Sequence, residues 1–201
     1  MRSLSVVLLA ISALSSVSFQ PAPVQQPQDH LQDHLANNTV LIIRHSEKPE
    51  TGNGLSAQGE ERARLYIKYF QPFQDQQPPI EVDSLYAGAD SKSSIRPRLT
   101  LEPLSKATNL PINSSISSKD SAALVAELRS HPHGHCPLIS WRHGDMPALL
   151  TAFGASPDKL LPNGRWPDDV YDWVVVLTMG PSGQLVSQKL VHEQLMLKLI
   201  R

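Results

Sequence analysis

A three-layer α/β sandwich with a largely parallel central sheet is the fold class that this sequence predicts, and three observations lead there. Thr39-Val-Leu-Ile-Ile43 and Trp173-Val-Val-Val-Leu177 are continuous, β-branched apolar runs of the kind buried on both faces of a sheet. Between such runs lie stretches with the i, i+3, i+4, i+7 apolar spacing of helices that cover a sheet. Polar clusters rich in Arg and His stand immediately after the apolar runs, as in α/β folds that bind ligands at strand ends. The chain has 201 residues, the size of one ordinary domain plus appendages.

In chain order, the strand Thr39–Ile43 stops at Arg44-His45-Ser46-Glu47-Lys48-Pro49. Ser56 stands where an N-cap belongs, and Ala63, Tyr66, Ile67 and Phe70 follow at helical spacing. Val82–Ala87 reads as a second strand, ending in the polar loop Asp90–Ser94. Arg96–Asn109 reads as a helix with Pro97 in its opening turn, although Pro103 falls inside it. Ser121, Leu124, Val125 and Leu128 mark an amphipathic helix that closes before Pro132. Cys136–Trp141 is a third strand, followed by Arg142-His143-Gly144-Asp145 and a short helix over Met146–Phe153. Tyr171–Met179 and Leu185–Val191 complete the sheet around the turn Gly180-Pro-Ser-Gly183. No long internal repeat and no second domain are evident.

Met1–Ser18 has one Arg, an apolar run and then small residues, which predicts a secretory signal peptide and a secreted or periplasmic protein. The run is far shorter than the about 20 apolar residues of a membrane span, so no stable span is expected after cleavage. Phe19–Asn38 is rich in Gln, Pro, Asp and His and reads as a flexible polar leader, with folded sequence beginning near Thr39. Within it, Gln-Asp-His-Leu occurs at 28–31 and again at 32–35. His30 and His34 there could meet a metal from one helix face, but a third ligand is lacking nearby.

Composition excludes several classes. Eighteen Lys and Arg against 19 Asp and Glu give a net charge of -1, which argues against a basic face for nucleic acid over the whole domain. With 40% hydrophobic and 18% charged residues the chain is too apolar to be wholly disordered. The single cysteine, Cys136, rules out an internal disulfide framework and a four-cysteine zinc site. His131-Pro-His-Gly-His-Cys136 carries possible zinc ligands, yet Pro132 and Gly134 suit a surface turn. Neither a Gly-x-Ser-x-Gly elbow nor a phosphate-binding Gly-rich loop occurs. No cofactor and no metal are expected.

Arg44 and His45 follow the first strand, Arg96 follows the second, and His143 follows the third. Two guanidiniums and two imidazoles at neighbouring strand ends suit a dianionic phosphoryl group: Arg offers forked donors, and a neutral imidazole can attack phosphorus. Five motifs then occur in order. They are Arg44-His45-Ser46-Glu47-Lys48-Pro49, Gly54-Leu55-Ser56-Ala57-Gln58-Gly59-Glu60-Glu61-Arg62-Ala63 and Ser94-Ile95-Arg96-Pro97-Arg98-Leu99-Thr100-Leu101-Glu102-Pro103-Leu104. Trp141-Arg142-His143-Gly144-Asp145-Met146-Pro147 and Trp166-Pro167-Asp168-Asp169-Val170-Tyr171-Asp172 complete the series.

This series resembles the histidine phosphatase, or phosphoglycerate mutase-like, superfamily, in the branch whose first motif reads Arg-His-Ala-Glu-Lys-Pro. The resemblance spans roughly Val40 to Leu177 and implies a phosphoglycerate mutase-like fold and a small phosphorylated substrate. It implies that His45 is the nucleophile and that Arg44, Arg96 and His143 hold the phosphoryl oxygens. Ser46 stands where many members have Gly, Leu99 where Gln is usual and Arg142 where Glu is usual. Arg142 either adds to anion attraction or points into solvent. Asp145 is the first choice as proton donor to the leaving group, with Glu47 as rival unless it pairs with Lys48 or Arg96. The expected activity is that of an exported phosphomonoesterase. A mutase and a non-catalytic phosphate- or phosphoglycan-binding module are the alternatives.

Overall fold

The computed structural model describes residues 33–73 and 75–196. The expected signal peptide, most of the expected leader and His30 lie outside the described residues. Six strands form one sheet: β1 (Thr39–Arg44), β2 (Ser84–Ala87), β3 (Ile112–Asn113), β4 (Pro137–Trp141), β5 (Trp173–Met179) and β6 (Leu185–His192). Their spatial order is β3-β2-β4-β1-β5-β6. The pairs β3–β2, β2–β4 and β4–β1 are parallel, while β5 runs antiparallel to both β1 and β6. Five strands therefore share a direction and β5 alone is reversed, so the sheet is mixed and largely parallel.

The helices are α1 (Ala57–Tyr69), α2 (Arg96–Thr108), α3 (Ser121–Ser130), α4 (Met146–Ala152) and the single turn α5 (Pro157–Leu160). The alternation of side chains along β1 divides the core. Leu41 and Ile43 pack with Tyr66, Phe70, Leu101 and Leu104 of the α1–α2 layer. Val40 and Ile42 pack with Leu124, Leu128, Leu149 and Leu150 of the α3–α4 layer. All of these side chains are essentially inaccessible to water, which places the sheet between two dry helical layers.

Local chemistry sets the ends of the elements. The Ser56 side chain accepts the Gly59 N–H at 3.1 Å and opens α1. Asp120 does the same for Ala123 at the start of α3. Pro97 sits in the first turn of α2, and Asn109 ends that helix in a left-handed conformation at φ 60°. Pro103 lies within α2 and has no N–H to donate to the Leu99 carbonyl one turn back, yet the helix continues through it to Thr108.

Several boundaries differ from expectation. Leu35 is fully buried, Asn38 is 1% exposed, and Asp33 pairs with Arg129 of α3, so packing begins ahead of Thr39. Leu31 and Leu35 alone, among Gln, Asp and His, are too few apolar residues to mark an element, which is why that stretch reads as leader. Tyr171 and Asp172 precede β5 rather than opening it, because Tyr171 stacks on Arg44 at 3.9 Å. The two-residue edge strand β3 and the turn α5 are too short to leave a periodic signature.

Candidate active site

β1 and β4 are neighbours whose carboxyl ends lead to opposite faces of the sheet, β1 to α1 and β4 to α4. A crevice opens where two such connections part, and in open α/β sheets this is where ligands sit. His45 follows β1 and His143 follows β4 at that crevice, with ring centroids 6.0 Å apart. Arg96, in the first turn of α2, is near enough to His45 for its charge to lower the imidazole pKa.

His45 is held in one orientation. Its backbone N–H donates to the Trp141 carbonyl at 3.0 Å, and Nδ1 lies 2.7 Å from the Ser46 carbonyl oxygen. A carbonyl only accepts, so Nδ1 carries the proton and Nε2 keeps its lone pair. Burial depresses the imidazole pKa to about 3, with Arg44, Arg96 and His143 adding to the effect against the Ser46 bond. His45 is therefore a neutral imidazole at neutral pH, surrounded by the three groups that the motifs single out.

The loop carrying His45 is braced by the same motifs. The Ser46 N–H donates to Thr100 Oγ1 at 2.9 Å, and that hydroxyl donates to the Arg96 carbonyl at 2.9 Å. Ser56 N–H donates to the Glu47 carbonyl at 2.9 Å. A side chain at Gly59 would place its Cβ 2.5 Å from that same carbonyl oxygen, so the first turn of α1 can approach the loop only with glycine there. The spacing Leu-Ser-x-x-Gly-x-x-Arg is thus an α1 start that docks on the loop of His45.

Arg44 has more protein partners than its expected role suggests. Its side chain is fully buried, and Nη1 donates to the carbonyls of Pro167, Asp168 and Val170 at 2.8–3.0 Å. Nη2 lies 3.1 Å from His143 Nδ1. Arg can only donate, so His143 Nδ1 accepts and its proton sits on Nε2, which donates to Asp168 Oδ1 at 2.8 Å. Burial lowers the His143 pKa, as does Arg44, while Asp168 works against them. Arg44 accordingly anchors the Trp166–Tyr171 segment, and its Nε is a buried donor without a partner among the described residues. Arg96 Nε is in the same condition, while its Nη atoms donate to the Gly52 and Ser93 carbonyls at 3.2 Å. Both guanidiniums are close enough to His45 to lower its pKa, and two fixed cations beside one imidazole suit an oxyanion.

The remaining sequence candidates divide. Glu47 pairs with neither Lys48 nor Arg96: its carboxylate accepts from Arg62 Nε and Nη2, the latter at 2.7 Å. Arg62 also pairs with Glu193, forming a buried triad that spans α1 and the chain after β6. Asp145 is half-buried at the end of a 3-10 turn over His143–Asp145 and has no side-chain partner among the described residues. Arg142 is half-buried, and its charge lowers the Arg96 pKa after the larger effect of burial, so it adds to the positive field of the crevice. Tyr171 and Asp168 received no role from sequence reasoning. Their signal was the Trp-Pro-Asp-x-x-Tyr-Asp run, whose carbonyls wrap the Arg44 guanidinium.

Outside the crevice, His131 is exposed beside Glu127, and buried His133 bonds the Leu128 carbonyl at 2.8 Å. No group of three or more His, Cys, Asp or Glu among the described residues is placed to hold a metal ion. Cys136 is buried, and burial pushes its thiol up to about 12, as expected of a packed rather than reactive cysteine. No described helix is long and apolar enough to cross a membrane.

No family model and no curated protein matches the chain. Solved structures do. The protein histidine phosphatase SixA complexed with tungstate has a TM-score of 0.48 and 16% identity, over 75% of this chain and 95% of that one. SixA from Agrobacterium tumefaciens gives 0.48 and 19%, over 76% and 97%. The native mycobacterial glucosyl-3-phosphoglycerate phosphatase gives 0.46 and 16%, over 77% and 97%.

The two arginines of the α2 motif should respond differently to the same substitution. Arg96→Lys is expected to lower phosphatase kcat/KM roughly 10- to 100-fold, since an ammonium cannot replace a forked donor to an oxyanion. Arg98→Lys should stay within about twofold, because Arg98 is half-exposed and, among the described residues, pairs with Asp90 and Glu102. Steady-state assays of both variants decide; the reverse ranking would put Arg98 in the site.

Proposed function

We propose that the chain is a phosphomonoesterase of the histidine phosphatase type, turning over through a covalent phosphohistidine on His45 Nε2. The observation that carries the reading is the Nδ1 contact with the Ser46 carbonyl at 2.7 Å, which leaves Nε2 as an unprotonated nucleophile in a crevice of positive groups. In the first step the Nε2 lone pair forms the N–P bond as the ester P–O bond breaks, and the leaving oxygen takes a proton from Asp145. In the second, water attacks phosphorus, its proton passes to the Asp145 carboxylate, and the N–P bond breaks to release phosphate. Arg44, Arg96 and His143 stabilise the developing charge on the phosphoryl oxygens. Asp145 is favoured as donor by its position two residues after His143 and by its freedom from partners, whereas Glu47 is committed to Arg62.

Export through the Met1–Ser18 signal sequence is part of the proposal, which makes the enzyme secreted or periplasmic. A mature product starting after Ser18 is expected by mass spectrometry of exported material. Purified protein should release phosphate from small phosphoesters in the presence of a chelator, and alkaline quenching should trap label on His45. Phosphate binding without release would instead identify a non-catalytic module; release abolished by the chelator would point to a metal-dependent protein.

A further inference from the structure

A cleft of about 770 Å³ shares His143 with the phosphoryl site and runs between α4, the start of α5 and the segment around Asn163–Asp168. Its size falls within the range of roughly 300–1,000 Å³ usual for small-molecule sites. The chain is shaped to form it. Asn163 and Gly164 take consecutive left-handed conformations, φ 51° and 68°, and a side chain at Gly164 would collide with the Asp158 carboxylate. Asp158, Asn163 and Arg165 all line the cleft and are solvent-exposed. Neither Asp158 nor Arg165 has an ion-pair partner among the described residues.

We infer that this cleft binds the leaving group, and that the leaving group is a neutral polyhydroxylated one, a sugar or similar polyol. The inference rests on the phosphomonoesterase reading and deepens it. Adjacent hydroxyls both donate and accept, so a carboxylate, an amide and a guanidinium together can satisfy them. Asp158 and Asp168 outweigh Arg165 in charge, which disfavours a second phosphate or a carboxylate on the leaving group. Trp166 is the one Phe, Tyr or Trp of the lining, and at 4% exposure it offers no free ring face to a nucleobase.

The test compares glucose 6-phosphate, AMP, 3-phosphoglycerate, a phosphoserine peptide and para-nitrophenyl phosphate, in the full chain and in the double variant Asn163→Gly/Arg165→Gln. Glycine keeps the left-handed turn while removing the amide. The sugar ester should have a kcat/KM at least about tenfold above AMP, phosphoglycerate and the peptide, and the double variant should lose about tenfold more on it than on para-nitrophenyl phosphate, as expected for one or two lost hydrogen bonds. A preference for AMP, phosphoglycerate or the peptide, or equal losses on all esters, overturns the assignment. Calorimetry separates this from the underlying reading. If no ester is hydrolysed, the phosphatase reading falls, and the cleft assignment still stands or falls on whether glucose 6-phosphate binds more tightly than inorganic phosphate and loses that advantage in the double variant.

Discussion

His45→Ala is expected to lower turnover by on the order of 10⁴-fold or more, with a folded chain by circular dichroism and no label trapped at alkaline pH. The side chain faces the crevice and its one hydrogen bond goes to the neighbouring Ser46 carbonyl, so its removal leaves the bracing of the loop by Thr100 and Ser56 in place. The variant should also differ in acid stability. With the folded pKa near 3 against 6.5 for a free imidazole, the unfolded chain binds a proton between those values that the folded chain does not. The wild type therefore keeps full stability from this group above pH 6.5 and loses it as pH falls towards 3. The slope is about 1.4 kcal/mol per pH unit at most, and His45→Ala should lack it in urea titrations across that window. Substantial turnover by the folded variant would rule out the covalent route. Equal pH slopes would show that the imidazole is not held neutral by its surroundings.

What was legible in the sequence and what was not follow the range of the interactions. β1 and β5 are readable because a strand buried on both faces must be apolar at every position. Ser56, Gly59 and Thr100 are readable as a motif, and the structure supplies the reason: each closes a contact onto the loop of His45. The role of Arg44 was only half legible. Its donors are largely taken by carbonyls more than 120 positions away, and backbone carbonyls leave no mark in side-chain identity. Asp168 escaped for a related reason, since its pairing with His143 depends on how the Trp166–Tyr171 segment wraps around Arg44. The partner of Glu47 was misplaced because proximity along the chain favours Lys48, whereas the fold delivers Arg62 from α1 and closes the triad with Glu193.

That triad carries the largest stability effect expected in the molecule. Arg62→Met should destabilise the fold by about 3–5 kcal/mol, because it leaves the carboxylates of Glu47 and Glu193 buried, close together and without their cation. For a chain of this size the melting temperature should fall by roughly 10 °C. Adding Glu47→Met and Glu193→Leu to Arg62→Met should recover most of the loss, since an apolar triple of similar volume has no charge left to strand. Glu47→Gln, which keeps the shape and removes the charge, should destabilise less. It should slow alkyl and aryl phosphates alike, because Glu47 holds the loop two residues beyond His45. Melting curves and parallel kinetics on the two ester classes test both halves. Wild-type stability in Arg62→Met would mean that the triad holds nothing together. A loss in Glu47→Gln confined to poor leaving groups would move the proton-donor role from Asp145 to Glu47.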